Sequence, residues 1–265
     1  MKNIIIPNTN FKCSKFIFGT GSLLNILSKK KRLKLLNTAI DLGFSHFDTS
    51  PYYGFGNAEL NIGDVLKNNH KITLTSKVCL YPPKKFNHNF CEMLTRKILG
   101  KITPNLTKPI IDFTIKTANV SIEQSLRNLK RDYIDILLIH EPIIELINIE
   151  EWENWLNKLV KDGKIRYHGL SSLNSSRIQN FINVKKSFFN ILQTLDSIDK
   201  KEADFLINNN HPIQITHGYM SSTKKRQPNA QYRDIHRKII DRNPDGAIII
   251  STCKIKHLNE YINLT

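Results

Sequence analysis

The sequence predicts an α/β fold, a (β/α)8 barrel in a single domain over residues 1–265. Three observations carry that reading. Short β-branched apolar runs alternate eight times with longer amphipathic segments, no linker or shift of composition interrupts the alternation, and 265 residues match a barrel of about 250. An open doubly wound sheet is the alternative, but no G-x-G-x-x-G follows the first strand.

The predicted strands are 15–19 (KFIFG), 44–48 (FSHFD), 72–77 (ITLTSK), 133–140 (YIDILLIH), 165–171 (IRYHGLS), 188–193 (FFNILQ), 213–218 (IQITHG) and 247–251 (AIIIS). Runs rich in Ile, Phe and Leu suit strands buried on both faces. Between them, residues 30–43 show apolar positions at helical spacing and stop at Gly43. The segments 57–69, 114–132 and 150–164 behave similarly, and weaker helices are predicted near 175–183, 199–208, 230–242 and 256–262. Ser121, three residues before Gln124, has the spacing of a capping box inside the 114–132 segment. Residues 80–111 are too many for a simple turn and predict an excursion over the barrel mouth.

Composition narrows the function classes. A hydrophobic share of 40% supports a sizeable core, and no run reaches the roughly 18 apolar residues that span a bilayer. The first residues, MKNIIIPNTNFKC, lack the apolar length and cleavage site of a signal peptide, so the expected location is the cytoplasm. Cys13, Cys79, Cys91 and Cys253 are far apart with no C-x-x-C, which argues against a zinc or redox motif; no metal is expected. The net charge of +16 raises nucleic acid as a partner, but the lysines are scattered rather than gathered in one stripe, and nucleic acid is not the expected partner. The sequence leaves the oligomeric state open.

In a barrel of this kind, chemistry gathers at the C-terminal ends of the strands. Asp48 ends the second predicted strand and Tyr53 follows it, Lys77 ends the third and His140 ends the fourth. Three neighbouring strands thus offer a carboxylate, a phenol, an amine and an imidazole. A phenol titrates near 10 and is a poor proton donor at neutral pH; a nearby ammonium favours its anion, and a carboxylate keeps that ammonium charged and fixed. The set amounts to a metal-free acid–base site, with the imidazole placed to orient a carbonyl oxygen.

These residues carry a resemblance. GFSHFDTSPYYGFGNAELNIGDVL, LTSKV, SIEQSLRNLKRDYIDILLIHEP and LVKDGKIRYHGLSS resemble the motifs of the aldo-keto reductases, barrel enzymes that use a nicotinamide cofactor. The likeness is specific up to residue 172 and thinner beyond. It implies that Tyr53, five residues after Asp48 and just before Gly54, is the general acid rather than Tyr52. It implies also that Asp48 and Lys77 tune Tyr53 while His140 orients the substrate.

The resemblance further implies NADPH, with NADH as the alternative, and a small carbonyl or alcohol substrate such as an aldehyde or sugar. Gly19, Thr20 and Gly21 match the loop under the nicotinamide ribose, with Asp48 beside them. Ser171, Ser172 and Gln193 match the carboxamide contacts; many members have asparagine where this chain has Ser172. Beyond the seventh strand, His217 and Tyr219 are the candidates to stack on the nicotinamide, and Ser221 and Ser222 those to meet the pyrophosphate. Thr252 and His257, with Lys254 nearby, match the adenosine-phosphate end. The sequence stops soon after, which implies a more open site. A cofactor-binding regulatory subunit with little turnover is the alternative function.

Overall fold

The computed structural model describes residues 1–265 except 68, 84–89, 101, 186–187, 230–231 and 265, and of residues 232 and 233 only the backbone. Parts of the predicted excursion and the starts or ends of two predicted helices therefore lie outside the described residues.

An antiparallel hairpin, β1 (Asn3–Ile5) and β2 (Lys12–Ser14), opens the chain. The barrel then begins with β3 (Phe16–Gly19), α1 (Lys29–Asp41), β4 (His46–Asp48), α2 (Asn57–Leu66) and β5 (Thr73–Val78). An excursion of β6 (Leu80–Tyr81), α3 (Phe90–Leu99) and β7 (Ile110–Ile111) follows. The alternation resumes with α4 (Ile115–Leu129), β8 (Ile134–His140), α5 (Ile149–Lys161), β9 (Ile165–Ser172), α6 (Ser175–Val184) and β10 (Ile191–Leu195). It ends with α7 (Asp204–Asn208), β11 (Ile215–His217), α8 (Tyr219–Arg226), α9 (Tyr232–Arg242), β12 (Ala247–Ile250) and α10 (Ile255–Ile262).

Eight strands, β3, β4, β5, β8, β9, β10, β11 and β12, close into a parallel barrel in chain order, so the predicted (β/α)8 fold is the observed one. All eight predicted strands correspond to barrel strands. The sixth begins at Ile191 rather than 188, because Phe188 and Phe189 are buried in the connection before it.

Local chemistry explains the helix boundaries. Ser28, Thr114 and Asn148 each accept a hydrogen bond from a backbone N–H in the first turn of α1, α4 and α5. In α5, Glu150 and Glu151 sit at the start and Lys158 and Lys161 at the end, the charge order that suits the helix dipole. The cap of α4 is Thr114 and not Ser121, which lies two turns inside the helix where the backbone N–H groups already have partners.

The hairpin plugs one end of the barrel. Ile6, Phe11 and Cys13 are buried against Ile17, Ile136, Leu138, Ile191, Ile215 and Ala247 from the strands. Phe11 lies edge-on to His46, at the start of β4, with ring centroids 5.2 Å apart. The opposite, C-terminal end of the strands is therefore the open one. The excursion stands beside that end: the Tyr52 hydroxyl donates to Thr107 O at 3.0 Å. Among the described residues no helix is long and apolar enough to cross a membrane.

Candidate active site

Strand register brings the polar residues to one level. Asp48 pairs with Thr75, Lys77 with Leu138, His140 with Ser171, and Ser171 with Gln193. Asp48, His140, Ser171 and Gln193 line a cavity of about 430 Å³ at the open end, together with Gly21, Tyr52, Tyr53 and His217.

Lys77 is the hub. Its ammonium, 1% exposed, donates to both oxygens of Asp48 at 2.7 and 2.8 Å, to Thr49 O at 2.9 Å and to the Tyr53 hydroxyl at 3.5 Å. Gln193 Nε2 donates to Asp48 Oδ2 at 2.7 Å, and Ser171 Oγ donates to Gln193 Oε1 at 2.5 Å. A buried charge is tolerated only when paired and hydrogen-bonded, and this pair is both. Burial works against the Lys77 charge, but Asp48 and Tyr53 outweigh it and raise its pKa, so the ammonium persists at neutral pH.

Tyr53 is delivered by a sharp turn. Gly54, Phe55 and Gly56 all have positive φ, at 56°, 53° and 86°. A Cβ on Gly54 would also lie 2.3 Å from Leu24 Cγ, so a glycine directly after Tyr53 is needed both for conformation and for space. Burial raises the Tyr53 pKa, Asp48 and Glu141 add to the rise, and Lys77 opposes it. The net direction is upward, which corrects the expectation that Lys77 lowers it outright: in this cavity desolvation is the larger effect, and the phenol keeps its proton at neutral pH. His140 lies edge-on to Tyr53 with ring centroids 6.1 Å apart. Its Nδ1 is buried with no hydrogen-bond partner. Burial, with Lys77 and His217 adding, pushes the imidazole well below its ordinary pKa, so it is neutral.

The other expected positions divide. Gly21 lines the cavity against the Tyr53 ring, where an added Cβ would meet it at 3.8 Å. Thr20 is fully buried and donates from Oγ1 to Asp48 O, which ties the first strand's end to the second. Gly19 faces β12, and a Cβ there would come within 2.5 Å of Ser251 Oγ and 2.6 Å of Ile249 Cγ2. Ser172 is absent from the cavity lining: its hydroxyl donates to Glu141 Oε2 and accepts from Asn174 N. His217 lines the cavity and is held neutral, its pKa lowered by burial to about 4. Tyr219 also lines it, with its hydroxyl anchored to Asp196 Oδ2 at 2.7 Å.

A second cavity of about 350 Å³ shares Met220, Ser221, Ser251 and Tyr261 with the first. Thr252, Lys254 and His257 line it, along with Lys224 and His236. Thr252 Oγ1 lies 3.1 Å from His257 Nδ1, so those two side chains form one pair. Ser222, by contrast, lines neither cavity. Among the described residues no group of three or more His, Cys, Asp or Glu is placed to hold a metal ion.

Sequence reasoning missed Glu141, Leu80, Leu195, Ser251 and Tyr261, all in the lining of the first cavity. Two of these had a local signal: Glu141 directly follows the strand-ending His140, and Ser251 ends the eighth predicted strand.

Comparison with known proteins places the chain in a family. The family model described as "Aldo/keto reductase family" matches residues 15–210. The chain is 27% identical over 199 residues to the uncharacterized oxidoreductase YqkF of Bacillus subtilis, covering 74% of this chain and 58% of that protein. It is 29% identical over 173 residues to the L-galactose dehydrogenase of Arabidopsis thaliana, covering 63% and 47%. The chain thus spans about half the length of the curated relatives it matches. Among solved structures, an aldo-keto reductase of Bacillus halodurans in its holo form superposes with a TM-score of 0.74 at 18% identity, covering 100% of this chain and 90% of that one. An aldo-keto reductase of Klebsiella pneumoniae in complex with NADPH gives 0.67 at 17%, again over 100% and 90%. By the extent of the matched sequence, the chain belongs to the aldo/keto reductase family.

Proposed function

We propose that the chain, as one catalytic unit over residues 1–265, is an NADPH-dependent oxidoreductase that passes a hydride between nicotinamide and the carbonyl of a small aldehyde or sugar. The observation that carries this is Lys77, buried as an ammonium between the Asp48 carboxylate and the Tyr53 hydroxyl at the floor of an open cavity.

Two features of the molecule fit a dinucleotide. The cavities adjoin through Met220, Ser221, Ser251 and Tyr261, giving an elongated space. The second is lined by Lys224 and Lys254, with His257 among neighbours able to bond an anion, against one acid, Glu260, a setting that suits an adenosine phosphate and favours NADPH over NADH. Ser171, Gln193 and Gly21 would hold the nicotinamide end, and Thr252 and His257 the phosphate end. The Klebsiella relative holds NADPH, in keeping with this assignment. When bound, the nicotinamide supplies or accepts the hydride.

The chain's own residues do the rest. Tyr53 keeps its proton in the resting site and gives it to the carbonyl oxygen as negative charge develops there. Lys77 then stabilises the phenolate left behind, because a fixed ammonium in a water-poor site acts on charge without reorganisation. Asp48 holds that ammonium, and Gln193 holds Asp48. His140, neutral and bordering the cavity beside Tyr53, is suited to fix the substrate oxygen by a hydrogen bond from its ring.

The test is a purified sample with NADPH and a panel of sugars, short aldehydes and pyridoxal, followed by loss of NADPH absorbance. Turnover abolished by Tyr53→Phe is the expected result. Cofactor binding with no oxidation over the whole panel would instead assign a regulatory role.

A further inference from the structure

Glu141, directly after His140, has a backbone that an L-residue rarely adopts, with φ of 52°. A non-glycine residue in this region costs on the order of 1 kcal/mol and persists only where its surroundings hold it. Here its N–H donates to Ser171 O at 2.7 Å, and its own carbonyl accepts from Arg177 Nη1 at 2.9 Å. The turn aims the side chain at the open end of the barrel, where Glu141 lines the cavity beside Tyr53 and His140.

Both carboxylate oxygens are held by hydrogen bonds. Oε1 accepts from Leu173 N at 2.7 Å, and Oε2 accepts from Ser172 Oγ at 2.8 Å and from Arg177 Nη1 at 3.2 Å. Arg177, which balances the charge, is absent from the cavity lining, whereas Glu141 is part of it. Of the pair, the acid is therefore the member that borders the ligand space. Among the described residues, no Lys or Arg lines that cavity, and Lys77 just behind the lining is paired with Asp48. The field of Glu141 also reaches the reacting group, since it contributes to holding the Tyr53 proton in place.

We propose that Glu141 sets the substrate class of this site: it admits uncharged or cationic carbonyl compounds and rejects those with a carboxylate close to the carbonyl group. The inference rests on the carbonyl chemistry proposed above. Like charges a few ångströms apart at a partly desolvated surface repel enough to cost about tenfold or more in reactivity.

The experiment compares benzaldehyde with 3-carboxybenzaldehyde as substrates for the NADPH-loaded chain. The unmodified protein should prefer benzaldehyde in kcat/KM by about tenfold or more. Glu141→Gln, which keeps the size and the bond from Leu173 N, should bring that ratio at least several-fold closer to one. Glu141→Asp should retain the preference. Raising salt from about 0.05 to about 0.5 M should shrink the ratio in the unmodified protein, because screening shortens the reach of the charge, and this measurement needs no variant. Calorimetric binding of benzyl alcohol and 3-(hydroxymethyl)benzoate to the chain saturated with NADP⁺ should give the same order. A ratio unmoved by Glu141→Gln, a ratio unmoved by salt, or a preference for the carboxylated aldehyde would each overturn the proposal. Absence of turnover with the binding preference intact would overturn the oxidoreductase reading and leave this one standing.

Discussion

Removing one hydroxyl separates the two adjacent tyrosines. The Tyr53 hydroxyl has Lys77 as its hydrogen-bond partner at 3.5 Å, a long contact that contributes little to stability. The Tyr52 hydroxyl makes a 3.0 Å bond to Thr107 O, of the kind worth about 1 kcal/mol. For a chain of 265 residues, 1 kcal/mol shifts the melting temperature by roughly 2 °C. Tyr53→Phe should therefore leave the melting temperature nearly unchanged, yet lower kcat by about 10²- to 10⁴-fold, the usual contribution of a positioned acid. Tyr52→Phe should do the reverse, with a melting temperature down by about 2 °C and kcat within a few-fold. The assay is NADPH oxidation alongside thermal denaturation of both variants, with cofactor affinity measured by fluorescence titration. Equal loss of rate in the two variants would refute the assignment of the acid.

Other outcomes follow from the same structure. Lys77→Met should remove most turnover and, by leaving Asp48 buried without its cation, cost about 3–5 kcal/mol in chemical denaturation; Lys77→Met combined with Asp48→Asn should recover part of that stability without recovering activity. Gly19→Ala places a Cβ against Ser251 and Ile249 and should cost about 1–3 kcal/mol, read as a lower denaturant midpoint. Stability should fall with acid well before the carboxylates titrate. His46, bonded to Thr73 and Thr75, has its pKa lowered by burial, with Lys77 adding, to about 3, and His168 and His217 are lowered by burial to about 4. Below an unfolded pKa near 6.5 the unfolded chain binds these protons more readily than the folded one. The stability is therefore complete above that pH and declines as pH drops toward 3, by up to about 1.4 kcal/mol per pH unit for each group. A denaturant midpoint that stays flat from pH 6.5 to 5 would contradict this.

How much of this was legible in the sequence depends on how local each cause is. The barrel strands were readable because a parallel strand buried on both faces must be a near-continuous apolar run, as in IDILLIH of β8. The hairpin of β1 and β2 was not, since three-residue strands around a polar turn give no period to detect. Helix α8 is not among the predicted helices because YMSSTKKR has no apolar stripe, and its first turn is held instead by Tyr219 reaching Asp196. In the site, Asp48, Lys77 and His140 could be placed from strand ends, whereas Tyr53 rather than Tyr52 followed from the resemblance to the aldo-keto reductases. The bond from Gln193 to Asp48 crosses 145 residues of chain, and no spacing rule anticipates it. Glu141 was passed over for a different reason: the letters HEP place an acid after His140, but where it points follows from a backbone angle that they do not disclose. The direction of the Tyr53 shift also depended on depth of burial, a property of the assembled cavity rather than of the residues near it in sequence.

The apolar plug of Ile6 and Phe11 has an electrical consequence. With a buried interior beneath and water only at the rim, the Lys77–Asp48 pair is screened from above alone, so what field it keeps is felt chiefly by whatever enters. Dissolved ions can weaken that field only through the mouth, the same opening through which a ligand enters.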